Sequence, residues 1–542
     1  MVDYGLFGVM LLLSALIGIY FGFFSKNKQN NTLEYLLGGK KMKFFPIAAS
    51  LIASHINAFT MLAVPSEVYA HGTEYALCVI SALLYLEKRF NRKVRLLASS
   101  IYIFSGIIGL PAIIYMPALA LSQASGINLH VITTFTSMVC IFYTTVGGLR
   151  AVVWSDTLQF ILMIGGLAMV IGLGLMSTGG IVEVFKKADA GGRLILFNMN
   201  PSPFVRTSFW TLTIGMSTAW IAKLGVSQCS IQRFLAVPNI EVARKAVWVF
   251  AIGLGALKLG AILLGLIVYA KYQSCDPVTN KQIKKLDSIV PFFVLEVASK
   301  VPGLSGLFIA GIFSAALSSI SSILNTKAGI IYEDFIRHRY PNATEKRASD
   351  VMKLLVVVLG VIMLSLVFVV EHLGSIFRLH YAINGLTVGT FFGIFTIGMF
   401  SRTANTTGIV SGTIVSLLAV GAIIIGAQTL PKQPPLPFRT DQCEIPTNVT
   451  YAADAIFAHE ELTKDIPIIF HLSFMYYALL GLVIMTAVAL PTSWLTGSYY
   501  EPQYFDEQLL APFRRKTGWK ERKNTETPDD KHELEDFKKA AA

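Results

Sequence analysis

The sequence predicts an all-α membrane protein of about thirteen transmembrane helices, with its N-terminus outside and its C-terminus in the cytoplasm. Three observations lead there. Of the 542 residues, 54% are hydrophobic and only 14% charged, and apolar runs long enough to cross a bilayer recur from end to end. The basic residues behind the net charge of +12 lie in short clusters between those runs. That is the positive-inside pattern; a nucleic-acid partner would need them along one face. Two of the runs are interrupted by polar residues in their middles, which marks a functional site at hydrocarbon depth.

The first span runs from Leu6 to Phe24. No basic segment precedes it and no small-residue cleavage site follows, so a retained helix is expected and not a removable signal peptide. Lys26, Lys28, Lys40, Lys41 and Lys43 then place the next loop in the cytoplasm. The second run, Ala48 to Tyr69, carries Ser54, His55, Asn57 and Thr60 at its centre. Polar groups at that depth are costly unless something binds them. They describe a membrane helix unwound in its middle, with carbonyls and hydroxyls offered to an ion, or else side chains that bond back to their own helix or to a neighbour.

The third run begins near Thr73 and is short. Its fourteen residues, TEYALCVISALLYL, meet the basic stretch EKRFNRKVR after a rise of about 20 Å, against a hydrocarbon core of about 30 Å. Further spans are expected at Leu96 to Ser122 and Val131 to Val146, followed by an inner stretch, GGLRAVVWSDTLQ. Its Asp156 opens the run Leu158 to Met176, where an acid either caps a helix N-terminus or serves a site.

After an outer loop, the run Phe209 to Val237 is interrupted by Gly215, Ser217, Thr218, Lys223, Gly225, Ser227, Gln228, Ser230 and Gln232. Corresponding polar, glycine-broken spans in two halves point to an inverted repeat with a binding site at its centre. Ala246 to Tyr272 carries Lys258, within reach of a neighbouring carbonyl or of water. Leu304 to Tyr332 contains FSAALSSISSILNTKAG, in which Ser318, Ser321, Ser322 and Asn325 share a face, with Ser319 beside them. Such a stripe is either a close-packing seam or a ligand surface.

Spans at Val351 to Val370, Ile376 to Phe400, Ile409 to Ile425 and Ile466 to Leu490 complete the set. The polar loop Gln428 to Asp465 lands outside, so the sequon at Asn448 is open to glycosylation, whereas the one at Asn342 lies inside and is silent. Cys275 and Cys443 fall in outer loops where a disulfide persists, and form a candidate pair. Cys78, Cys140 and Cys229 sit in apolar runs as packing residues. The tail after Leu495 has mixed charge and is expected to be disordered.

Carbonyls and one or two serine hydroxyls replace the water around a sodium ion without a full negative charge, which keeps binding reversible. Serines on the Leu304 to Tyr332 span facing an unwound second run would build such a site. The chain holds no P-loop, so ATP is not the expected energy source. It has no CxxC or Cys/His spacing for zinc or redox work, and no Ser/His/Asp or HExxH arrangement for hydrolysis, so no enzyme is expected.

The stretches ASLIASHINAFTMLAVPSEVYAHG, YLEKRFNRKVRLLASSIYIF, CIFYTTVGGLRAVVWSDTLQF and FSAALSSISSILNTKAGIIYEDF resemble the sodium/solute symporter family, in the branch of the sodium-coupled monocarboxylate, sodium-dependent multivitamin and iodide transporters. The resemblance runs from about Leu33 to Leu490. It implies a LeuT-type five-plus-five inverted repeat within a transmembrane domain over 1–495: an extra helix at 6–24, a first repeat at 44–176, a second at 209–400, additional helices at 409–490, and a cytoplasmic tail at 496–542. The principal sodium site would fall on the backbone oxygens of Ala53, Ile56 and Ala315 and the hydroxyls of Ser318 and Ser319. A second sodium would use Ser54, Asp156, Ser321 and Ser322. The solute pocket would be lined by His55, Asn57, Thr60, Ser227 and Gln228.

Two departures from the family stand out. His55 replaces an aromatic or an amide, which bears on solute choice and makes uptake pH-sensitive if the ring meets the solute. Relatives also carry a longer segment between ISALL and YLEKRF, so the second core helix is truncated here. The expected function is sodium-coupled import of a small organic anion, a monocarboxylate or carboxylated vitamin, by a multi-pass plasma-membrane protein using alternating access. The alternatives are a sodium symporter for a neutral solute such as a sugar, choline or inositol, and a non-transporting sensor or inactive isoform on account of the shortened helix.

Overall fold

The computed structural model describes residues 2–25, 32–37, 42–55, 92–195, 197–225, 233, 236, 240–283, 286–298, 301, 303–340, 343–370, 376–428, 430, 436, 443 and 466–496. Among these residues the regular structure is entirely helical. Helix α1 covers Val2–Ile19 and continues as a wider turn to Phe24, α2 is Thr32–Leu37, and α3 is Phe44–His55. Helix α4 is Arg92–Ser125, α5 is Leu129–Thr178, and α6 is Ile181–Ala190. A wide turn at Thr211–Met216 leads into α7, Ser217–Gly225, and α8 is Ile240–Tyr272. Then come α9 (Ile289–Ala298), α10 (Leu304–Ile330), α11 (Glu345–Val370), α12 (Ile376–Phe400), α13 (Thr406–Ala427) and α14 (Tyr477–Leu495).

Eight of the described helices are long and apolar enough to cross a bilayer, fewer than the thirteen spans expected. Part of the gap has a physical cause. The two spans expected around residue 148 are joined in α5 with no loop between them: Gly148 alone breaks the helix, at φ 52 and ψ −156. A straight helix of fifty residues would be about 75 Å long, more than twice the hydrocarbon core. The two halves of α5 instead run back along the same neighbour. A Cβ on Gly147 would lie 3.4 Å from Gly18, while Gln159 reaches Ser14 at 3.4 Å, both on α1. The turn conformation is open essentially to glycine alone, which is why one residue suffices. The short helices α6 and α9 lie in stretches expected to be loops, and the last span opens with two tight turns and becomes α-helical only at Tyr477. The second run, expected to unwind around Ser54, His55, Asn57 and Thr60, is helical through His55; the rest of its middle, the shortened second core helix, the sequon at Asn448 and the tail after residue 496 lie outside the described residues.

Helix α10 is the axis of the bundle: its face is buried on nearly every side from Phe308 to Gly329. It packs most closely against the second half of α5. A Cβ on Gly166 would come within 3.3 Å of the Leu307 carbonyl, and one on Gly311 within 3.1 Å of the Leu162 carbonyl. Small residues at that seam let the two backbones approach, and this close approach brings Asp156 beside the serine stripe.

On the basic side of the molecule, Arg150 meets Glu34 of α2 at 2.6 Å and Arg95 meets Asp334 at 2.6 Å. On the opposite side Cys275 and Cys443 form a disulfide with their Cα atoms 5.1 Å apart, and Cys140 is free and buried. Cys78 and Cys229 lie outside the described residues.

Candidate functional site

Helix α3 ends its described course at His55, and α10 meets that end side on. The Ser318 hydroxyl donates to the Ala53 carbonyl at 2.7 Å, and Ser319 donates to the Ser54 carbonyl at 3.3 Å. Both serines also lie within bonding distance of the Ala315 carbonyl, at 3.4 and 3.2 Å. Ser318, Ser319, Ala315 and Ala53 are all buried. Four of the five residues expected to hold sodium therefore form one oxygen-rich knot between two helices, and the fifth, Ile56, lies outside the described residues. A hydroxyl has one proton and two lone pairs and rotates freely. The contact that now closes the α3–α10 seam can turn its lone pairs toward a cation placed among the same oxygens.

One turn farther along α10 is a second cluster with a different character. Asp156 and Arg233 are both fully buried and meet at 3.1 Å. The Ser50 hydroxyl donates to Asp156 Oδ2 at 2.5 Å and accepts from Arg233 Nε at 2.8 Å, while Arg233 also donates to the Ser322 hydroxyl. A buried ion pair compensates its desolvation only when its remaining hydrogen-bonding capacity is used, and here both serines serve that end. Asp156 Oδ1 has no partner among the described residues.

Asp156 does not cap a helix. The helical course resumes directly after Gly148, so the acid sits about two turns inside it, away from the N-terminal amides. Of the four residues expected around a second sodium, Asp156 and Ser322 come together, joined by Arg233. Ser321 donates to the Ser318 carbonyl at 3.2 Å, and the Ser54 hydroxyl donates to the Leu51 carbonyl at 3.1 Å. Arg233 and Ser50 were not singled out from sequence. The signal was present for the arginine, because a cation in an apolar stretch demands a partner, but its position gives no hint of which acid answers it.

His55 is buried, with its ring edge-on to Phe250 at 5.1 Å and Nδ1 2.9 Å from the Leu51 carbonyl. A carbonyl only accepts, so Nδ1 carries the proton in this arrangement. Asn57, Thr60, Ser227 and Gln228, the other expected solute contacts, lie outside the described residues. On α8, beyond Phe250, the Lys258 ammonium lies 4.5 Å from the centre of the Trp220 ring of α7 and is buried. An aromatic face is one of the few surroundings that hold a cation at hydrocarbon depth.

Residues 83–416 match the model of the sodium:solute symporter family. The chain is similar to the mouse sodium-coupled monocarboxylate transporter 2, at 33% identity over 94% of this chain and 86% of that protein. Mouse sodium-coupled monocarboxylate transporter 1 is also 33% identical, over 94% of this chain and 89% of that one. The human sodium/iodide cotransporter is 31% identical over 79% and 70%. Among solved structures, the fold matches a substrate-bound, outward-open sodium-coupled sialic acid symporter with a TM-score of 0.72 and 22% identity, covering 93% of this chain and 98% of that one.

Proposed function

Because the chain belongs to the sodium:solute symporter family, we propose that it imports a small organic anion, a monocarboxylate or a carboxylated vitamin, across the plasma membrane by alternating access. It is a sodium-coupled secondary transporter and not an enzyme, and its fold is that of an all-α multi-spanning membrane protein. In this proposal the described helices belong to a LeuT-type five-plus-five inverted repeat of thirteen spans, with repeats at 44–176 and 209–400.

The observation that carries the ion half of the proposal is the meeting of Ser318 and Ser319 with the carbonyls of Ala53 and Ser54. Sodium would sit among Ala53, Ile56, Ala315, Ser318 and Ser319, drawing α3 and α10 together and preparing the pocket beyond His55. A ligand shifts such an equilibrium only as far as it prefers one state, so sodium and solute affinities are mutually linked. A second sodium near Asp156 and Ser322 would share its carboxylate with Arg233, which makes that site the weaker of the two. The anion half rests on the two monocarboxylate-transporter relatives named above, supported by the buried Lys258 cation over Trp220 of α7.

Uptake of labelled pyruvate, biotin, iodide and glucose by cells expressing the full chain, with sodium and with choline outside, tests the proposal. Sodium-dependent entry of pyruvate or biotin is the expected result. Entry of glucose alone would move the chain to neutral solutes, and sodium-evoked current without solute entry would make it a sensor.

A further inference from the structure

Tyr143 is fully buried in the first half of α5, and its hydroxyl donates to the Leu317 carbonyl of α10 at 3.3 Å. The Cys140 thiol, one turn earlier on α5, lies 3.6 Å from that hydroxyl and 3.8 Å from the same carbonyl. A phenylalanine would fill the volume with no hydroxyl to desolvate, so packing gives no reason for a phenol at this position.

The Leu317 carbonyl gives one. Its oxygen belongs to the same planar peptide unit as the Ser318 amide nitrogen. Ser318 is the residue whose hydroxyl reaches the Ala53 carbonyl of α3 at 2.7 Å. Inside the helix the Leu317 carbonyl serves the Ser321 amide, which leaves a second lone pair open to a donor from outside. Tyr143 is that donor. Its ring cannot draw back, because α1 stands directly behind it: a Cβ on Gly18 would lie 2.5 Å from the Tyr143 Cβ and 2.7 Å from its Cα. The same helix also meets α10 one turn before Leu317, where the Phe7 and Phe313 rings lie 4.6 Å apart. Tyr143 is thus wedged between α1 and the peptide unit from which Ser318 departs.

We propose that Tyr143 is a positioning residue for the cation site: by fixing the Leu317–Ser318 peptide it holds the Ser318 hydroxyl toward α3, without itself touching the ion. The inference rests on the sodium-coupled function proposed above. It also gives α1, which stands outside both proposed repeats, the task of backing that contact.

The test is equilibrium radiosodium binding to the detergent-solubilised full chain, with thermal unfolding in the absence of sodium measured alongside. Tyr143→Phe should weaken sodium binding about fivefold, the scale of one net hydrogen bond, and melt close to the unsubstituted chain. Thr136→Val removes a buried hydroxyl that donates to the Ile132 carbonyl within α5, and should leave binding within about twofold. In a chain already carrying Ser318→Ala, adding Tyr143→Phe should weaken binding by less than about twofold, because the hydroxyl it positions is gone. Unchanged binding in Tyr143→Phe overturns the proposal. An equal loss in Thr136→Val, or a marked fall in the melting temperature of Tyr143→Phe, also overturns it and makes the effect one of packing. A full loss on the Ser318→Ala background does so as well, since Tyr143 would then act by another route. Absence of radiosodium binding in the unsubstituted chain is a different failure: it removes the sodium site itself and leaves Tyr143 nothing to position.

Discussion

Arg233 and Asp156 meet 3.1 Å apart where neither side chain has any exposed surface, and 77 residues of chain separate them. Their pairing joins the segment after α7 to the second half of α5, and through Ser50 and Ser322 it also engages α3 and α10.

Breaking that pair from one side leaves a buried charge alone, which costs about 3–5 kcal/mol. Asp156→Ala should therefore lower the melting temperature of the solubilised chain markedly, and Arg233→Met should do the same. The double variant should regain most of the loss, because both charges are gone. A double variant no more stable than either single one would show that the pair is not an energetic unit.

Removing the hydroxyls at the α3–α10 seam should act on sodium before it acts on folding. Ser318→Ala with Ser319→Ala should raise the sodium concentration for half-maximal uptake by about tenfold, equivalent to about 1.4 kcal/mol. Sodium titration of uptake, normalised to surface protein, measures it. An unshifted curve would take the ion away from these residues.

Gly148 tolerates no substitute well. Alanine there would be held in a backbone region that side chains avoid, at about 1–3 kcal/mol, and would strain the junction between the halves of α5. Thermal unfolding of Gly148→Ala against Gly165→Ala, where a Cβ meets open space, separates this strain from a general glycine effect.

The Cys275–Cys443 bridge spans 168 residues of sequence. A chain-entropy estimate for closing such a loop is about 5 kcal/mol, and the bilayer already restrains both ends, so the stability lost in Cys275→Ser should fall below that figure. Peptide mapping without reductant should recover the two cysteines in one linked fragment, and separate fragments would exclude the bridge.

Much of the candidate ion site is legible in the sequence. Ser318 and Ser319 announce themselves because hydroxyls at helical spacing are out of place in a span of that hydropathy, and the polar centre of the second run supplies the facing half. Arg233 was not legible in the same way. An intramembrane arginine predicts a partner but not its address, and the partner here lies in another helix whose approach depends on Gly166 and Gly311 at the α5–α10 seam. Asp156 was misplaced in one of its two readings for a related reason: the Gly-Gly pair before it signals a turn, but not that the turn is a single residue long. Helix position follows from turn length, and turn length is set by backbone geometry that residue types only permit.

Ser318 and Ser322 ride the same rigid helix one turn apart, and both are tied to α3, the first through the Ala53 carbonyl and the second through Arg233 and Ser50. The two ties work like a pair of latches on one door. Motion that parts α3 from α10 undoes both. The seam therefore gives way as one unit, the hydroxyl knot and the buried ion pair together.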